Sequence, residues 1–312
     1  MQRLQTSEKP DDSSTPKHAP TPHPHAFNKD LPMKVAVIGA GVIGITTAYE
    51  LATQGHQVSV FERNGAAAEE CSFSNTGVAS AGYASPWPRP GMFKHVLSHL
   101  LQRDTPLRIS SPSMTDWRWL WQMRKASNPT TFARNRASML RLAEYSAHRM
   151  RTLTDTLNLE HERSQGFMVL LRTEREIQLM QDSLQVMRDA GLSFKTLSAE
   201  EARGIEPALN PETALAQAIY FPEDEVGNCR QFTLLLKSEA EALGVKFHFN
   251  TGVLPLSNAQ PKTIRTSEQD IGEKFDAVVV SAGLASAQLV RPLGVAHSSR
   301  RRTRLCHQRS GT

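Results

Sequence analysis

The sequence predicts an α/β protein: a parallel sheet with helices packed on it, and an α+β layer inserted into the chain after the first βαβ unit. Three observations predict it. "KVAVIG" (34–39) and "FDAVVVSAG" (275–283) are short, β-branched apolar runs of the kind buried on both faces of a parallel sheet. A glycine-rich turn joins the first run to the helical stretch "VIGITTAYELATQG". Between the two apolar runs lies a long mixed segment in which helical and strand-like periods alternate.

The elements follow in order. Residues 1–32 are rich in Pro, Ser, Thr and His and hold little to bury, so a disordered extension is expected. From Lys34 the first strand runs into the turn, the helix after it stops at Gly55, and "HQVSVFER" forms the second strand. That completes one βαβ unit. Residues 92–123 mix apolar and aromatic side chains and end in "WRWLWQMRK", a stripe that reads as core or as a surface for a membrane or quinone. "TTFARNRASMLRLAEYSAHRMRTLTDTLNL" has the period of a long amphipathic helix, "GFMVLLR" of a strand, 174–190 of a helix and "LSFKTL" of a short strand. Ser198 with Glu201 three residues on is a capping box. "CRQFTLLLKSEAEALG" is helical to Gly244, and "VKFHFN" is a strand before the final buried run.

Gly39, Gly41 and Gly44 form GxGxxG after a strand and at the start of a helix. The first glycine permits the tight turn, the second lets backbone approach a pyrophosphate, and the third lets helix pack closely on sheet. The helix N-terminus adds free N–H groups and a positive dipole end. Glu62 ends the second strand, 21 residues after Gly41, where a carboxylate accepts from a ribose 2′-hydroxyl. This Rossmann-like unit predicts a dinucleotide without a 2′-phosphate.

Charge narrows the partners. The net charge of +5 comes from the end of the chain, where the last 22 residues hold six arginines and no acid. The body before them is near neutral, so no nucleic acid is expected. Cys71, Cys229 and Cys306 are far apart and show no metal-ligand spacing, so no metal is expected and a reduced cytoplasmic setting is the default. No apolar run reaches membrane-spanning length.

The stretch after Glu62 favours FAD over NAD. "CSFSNTGVASAGYASPW" is a loop of small and hydroxyl side chains, with no second strand–helix–strand repeat behind it. With it, "VAVIGAGVIGITTAYELATQGHQVSVFER", "SNTGVASAGYASPWPRPGM", "WRWLWQM", "MLRLAEYS", "PEDEVGNCRQFT", "GVKFHFNT" and "DAVVVSAG" resemble, in order from residue 33 to about 290, the FAD-dependent glycine oxidase and D-amino acid oxidase superfamily. The likeness is to its branch of bacterial D-amino acid dehydrogenase small subunits.

The resemblance implies an FAD-binding domain at 33–82 and 226–290, with a substrate domain at 83–225. It implies that Val37, Ile38, Gly39, Ala40, Gly41, Val42, Ile43 and Gly44 carry the pyrophosphate turn, Glu62 the adenosine ribose, and Arg63 the adenosine end. Ser74, Asn75, Thr76 and Gly77 would line the loop beside pyrophosphate and flavin, Val253 would touch adenine, and Ala282 and Gly283 would form a second turn by the pyrophosphate. Tyr83 and Trp87 are candidates for the substrate pocket or for the domain junction; no catalytic residue is assigned. The family often has Ala-Gly-Gln where this chain has Thr76-Gly77-Val78, so an amide is missing at Val78. The implied activity is oxidative deamination of a D-amino acid to a 2-oxo acid and ammonia, with electrons passed to a quinone or respiratory acceptor. The implied setting is cytoplasmic, or peripheral on the inner face of the bacterial cytoplasmic membrane.

Near residue 291 the pattern breaks, and "AHSSRRRTRLCHQRSGT" has no periodicity. The family's carboxylate-clamping arginine and its final glycine-rich turn are not legible in this chain. A truncated enzyme with an incomplete parallel sheet that lacks a central strand, catalytically weak, is therefore the expectation. Two alternatives stay open: a related FAD amine oxidase acting on glycine, sarcosine or an opine, and an inactive residual FAD-binding module.

Overall fold

The computed structural model describes residues 31–81, 84–86, 88–91, 114–189, 191–267 and 272–295. The extension over 1–30, the pocket candidates Tyr83 and Trp87, and the arginine-rich segment from 296 lie outside the described residues.

Strand β1 (Lys34–Ile38) leads through the glycine turn into helix α1 (Val42–Thr53) and strand β2 (Gln57–Phe61). Gly55 ends this helix with φ +86°, its N–H donating to Ala52 O at 2.9 Å. After β3 (Val78–Ala79) come α2 (Met114–Ala126), α3 (Pro129–Leu157), β4 (Ser164–Leu171), α4 (Glu174–Asp189), β5 (Lys195–Leu197) and α5 (Ala199–Ile205). Strand β6 (Gln217–Val226) and helix α6 (Cys229–Ala242) return the chain to β7 (Lys246–His248). A small hairpin, β8 (Thr263–Ile264) and β9 (Glu273–Lys274), precedes β10 (Ala277–Val280) and α7 (Ser286–Val290).

Four strands form a parallel sheet in the order β10-β1-β2-β7. Both faces are covered, which is why Val35–Ile38 of β1 and Ala277–Val280 of β10 are unbroken apolar runs rather than alternating. On one face Val37 and Val60 pack with Ile45 and Ala48 of α1 and Phe232 and Leu236 of α6. On the other, Ala36, Ile38 and Phe61 pack with Leu256, Phe275 and Leu289. The four strands pair side by side in unbroken order, which corrects the expectation of a missing central strand: any further strand would have to join at an edge.

The second sheet is antiparallel, with β6 at its centre between β4 on one side and β3 and β5 on the other. Strand β6 was not legible as a strand in the sequence. Pro222 and three consecutive acids, Glu223–Glu225, disguise it as a loop, yet Ile219 and Phe221 sit 0% and 1% exposed in the core of this layer. Proline is tolerated where the ladder is irregular, and β6 bulges here: Pro222–Asp224 stand opposite the single residue Gly166, between the pairs Gln165–Glu225 and Phe167–Phe221.

The long helix α3 starts at Asn128, whose side chain accepts from Thr130 N–H with Pro129 in the first turn, and ends at Asn158 in the left-handed region. It is tied to α1 by Arg149, whose guanidinium meets the Glu50 carboxylate at 2.6 and 2.9 Å. The Ser198–Glu201 capping box is formed at the start of α5. The aromatic stripe of α2 splits by face: Leu120 and Met123 are buried, while Trp117 and Trp121 are 61% and 57% exposed. Among the described residues, no helix is long and apolar enough to cross a membrane.

Candidate functional site

A cavity of about 390 Å³ opens at the carboxyl ends of β1, β2 and β10, where ligands bind in open parallel sheets. Ile38, Gly39, Gly41, Val42, Ile43, Glu62, Arg63, Asn75, Val253, Ala282 and Gly283 line it, all of them sequence candidates. Val37, Ala40 and Gly44 are buried beneath it.

The glycines are needed for measurable reasons. Gly39 has φ +105°, and a Cβ there would meet Ser281 O at 2.8 Å and Ala282 Cα at 3.0 Å. A Cβ on Gly44 would overlap the Gly39 carbonyl oxygen. Gly41 caps α1 without a side chain, so the cavity reaches the helix backbone directly. The turn after β10 interlocks with the same loop: Ser281 N–H and Oγ both donate to Ile38 O, at 2.9 and 3.0 Å.

Glu62 is held at four points. Its N–H donates to His248 O and its carbonyl accepts from Thr251 N–H, at 2.9 and 2.8 Å. Its carboxylate accepts from Ala40 N–H and Asn64 N–H, both at 2.9 Å. A carboxylate has about four lone-pair sites, so two remain for ribose hydroxyls. Arg63 is paired with Glu70, whose carboxylate holds the guanidinium firmly in its charged form. The cradle at the helix N-terminus and the anchored acid thus fit the ADP half of FAD. When bound, FAD supplies a two-electron acceptor.

The loop 69–77 completes the wall. Arg230 of α6 fastens it twice, donating to Glu69 Oε1 at 3.0 Å and lying 4.4 Å from the centre of the Phe73 ring. Ser74 is exposed and lines neither this cavity nor the next. The serine that faces the turn is Ser72, 7% exposed, whose Oγ accepts from Val42 N–H at 3.0 Å. Sequence reasoning missed Ser72, Ser281 and Asn64. Ser281 follows the last apolar strand directly, and that position was the one signal available.

Asn75, Thr76 and Gly77 turn instead toward a second cavity of about 300 Å³, which shares Val42 and Asn75 with the first. It lies where the loop meets β6, with Gly227 N–H donating to Gly77 O at 2.9 Å.

Comparison with known proteins identifies the family. A family model described as FAD dependent oxidoreductase (DAO) matches residues 34–308, beyond the point near 290 where the resemblance stops being legible. D-amino acid dehydrogenase of Bradyrhizobium diazoefficiens is 37% identical over 269 residues, covering 84% of this chain and 63% of that protein. Glycine oxidase from Geobacillus kaustophilus shares the fold at TM-score 0.57 and 20% identity, over 85% of this chain and 59% of that one. L-α-glycerophosphate oxidase from Mycoplasma pneumoniae, with FAD bound, does so at 0.53 and 20%, over 84% and 56%. The chain therefore spans less than two thirds of the length of each of these proteins. It belongs to the family of FAD-dependent oxidoreductases of the DAO type.

Proposed function

We propose that this chain binds FAD in the first cavity and serves the oxidative deamination of D-amino acids to 2-oxo acids and ammonia. The observation that carries the reading is the glycine cradle with Glu62 anchored at its rim, in a chain 37% identical to a D-amino acid dehydrogenase. Residues 33–82 and 226–290 form the cofactor-holding part, and 83–225 the substrate part.

The chain's own residues orient and hold. Gly41 and the first turn of α1 would take the pyrophosphate, because N–H groups of a first helical turn lack helical acceptors, while Gly39, its own N–H given to Phe61 O, keeps the turn free of a side chain. Glu62 would hold the ribose, Val253 and Arg63 the adenosine end, and the turn at Ala282 and Gly283 the phosphates. Asn75, Thr76 and Gly77 would hold the far end of the cofactor. Bound FAD would supply the two-electron acceptor for this oxidation, and the imino acid product would hydrolyse in water.

The electron acceptor is a quinone or another respiratory carrier, reached through a peripheral membrane contact. The exposed Trp117 and Trp121, with Lys125 Nζ 3.6 Å from the Trp121 ring centre, support that contact.

The test is the visible spectrum of the purified chain titrated with FAD, followed by anaerobic addition of D- and L-alanine. Flavin binding is expected, with at most slow bleaching by the D-isomer and none by the L-isomer. No flavin binding overturns the reading, and bleaching by glycine or sarcosine in preference to D-amino acids moves it to a related amine oxidase.

A further inference from the structure

Between residues 33 and 290 the charge is balanced in total but unevenly placed. Residues 114–157, which span α2 and α3, hold eight arginines and lysines against three acids. The rest of 33–290 holds eighteen against twenty-four. The near-neutral body therefore has a positive pole on this helical pair, and a pole of that kind steers the chain toward a negative surface.

Helix α2 joins this charge to aromatic surface. Trp117 and Trp121, one helical turn apart, are 61% and 57% exposed. Arg118, Arg124 and Lys125 are exposed with them. At the helical angle per residue these five side chains fall within an arc of about 120°. Leu120 and Met123, both buried, fall outside it. No acid occurs from 117 to 125. Lys125 Nζ stands 3.6 Å from the Trp121 ring centre, so ammonium and indole share one level of the face.

A helix face that met only water would carry the charge without the indoles. A face buried in a core would keep the indoles and exclude the charge. The combination fits the boundary of a bilayer, where indoles sit at the headgroup level and cations stay at the phosphates. We propose that α2 docks on bilayers that carry anionic phospholipid, with Trp117 and Trp121 entering the headgroup–acyl boundary and Arg118, Arg124 and Lys125 meeting the phosphates. Two indoles alone would serve any bilayer; the positive pole and the acid-free face select the negatively charged one. The inference rests on the peripheral membrane contact proposed above and adds the lipid class and the residues that read it.

The test mixes the full chain with vesicles of phosphatidylcholine alone, or of phosphatidylcholine and phosphatidylglycerol. Three of the four tryptophans, Trp117, Trp119 and Trp121, lie on α2, so intrinsic fluorescence reports on this helix. The chain should sediment with the mixed vesicles and far less with phosphatidylcholine. Brominated phosphatidylcholine in the mixed vesicles should quench the tryptophans, and added salt should weaken both signals. W117S/W121S and R118Q/K125Q should each lower the partition coefficient at least tenfold, with unfolding midpoints little changed because all four side chains are exposed. Equal partitioning into phosphatidylcholine overturns the lipid class and leaves the peripheral contact standing. Binding without quenching, or binding undiminished in both variants, overturns the assignment to α2. A DNA duplex that abolishes the quenching at vesicle-like concentrations of phosphate makes the face a general polyanion surface and overturns the proposal. Binding to no vesicle removes the peripheral contact as well, while the flavin titration and the D-alanine bleaching, run without lipid, decide the deamination reading separately.

Discussion

The two cavities meet at Val42 and Asn75 but are built on opposite principles. The first is walled by backbone at the ends of three parallel strands, and its polar side chains are already engaged: Glu62 by two amides, Ser72 by Val42 N–H, Ser281 by Ile38 O. The second is walled by side chains drawn from distant segments, and it keeps Glu225 Oε2 unmet. A site that binds by shape and backbone can be finished before its ligand arrives. A buried polar atom left unmet costs stability instead.

Breaking the first cavity should therefore damage the fold, and the largest effect is expected at Gly44. G44A would push a methyl group into the Gly39 carbonyl and prise α1 off the sheet, a loss of about 3 kcal/mol in chemical denaturation. Next comes E62A, which strands the amides of Ala40 and Asn64 and should cost about 2 kcal/mol along with at least tenfold in FAD affinity. Calorimetric titration would separate the two losses. S72A removes only the acceptor of Val42 N–H, and about 1 kcal/mol should be lost.

Outside the first cavity the effects shrink. The Arg149–Glu50 pair is about a third exposed, so R149M should change stability by less than about 1 kcal/mol even though its geometry is bidentate. Asp224, beside the second cavity, is half-buried and bonded to the Ser80 hydroxyl. Burial pushes its carboxyl pKa up, more than Ser80 and Arg151 pull it down, and Glu223 adds to the rise. The folded chain then holds this proton more tightly than the unfolded chain. Stability should fall as pH rises from the ordinary aspartate range through the raised pKa, and D224N should flatten that fall in a series of melts.

The same contrast explains what the sequence made legible. The parallel sheet could be read from Lys34 onward because its signals are local: an apolar run, three glycines at fixed spacing, an acid at the end of the next strand. The cradle followed from the same few residues. The second sheet could not be read, because β6 carries Pro222 and Glu223–Glu225 on a strand whose partners come from residues 78–79, 164–171 and 195–197. His161 carries no signal in the sequence, and only the fold sets it against Gly227 and Phe232. Ser72 was passed over for Ser74 because the loop's direction is fixed by Arg230 and Phe73, a contact between residues far apart in sequence.

The central claim is that the glycine cradle and Glu62 hold the adenosine half of FAD. Competition calorimetry tests it most directly, with FAD, ADP and FMN titrated into the purified chain. The account predicts that FAD binds one per chain, that ADP competes for the same site, and that FMN, which lacks the adenosine, does not displace ADP. FMN binding as tightly as FAD, with ADP failing to compete, would contradict it.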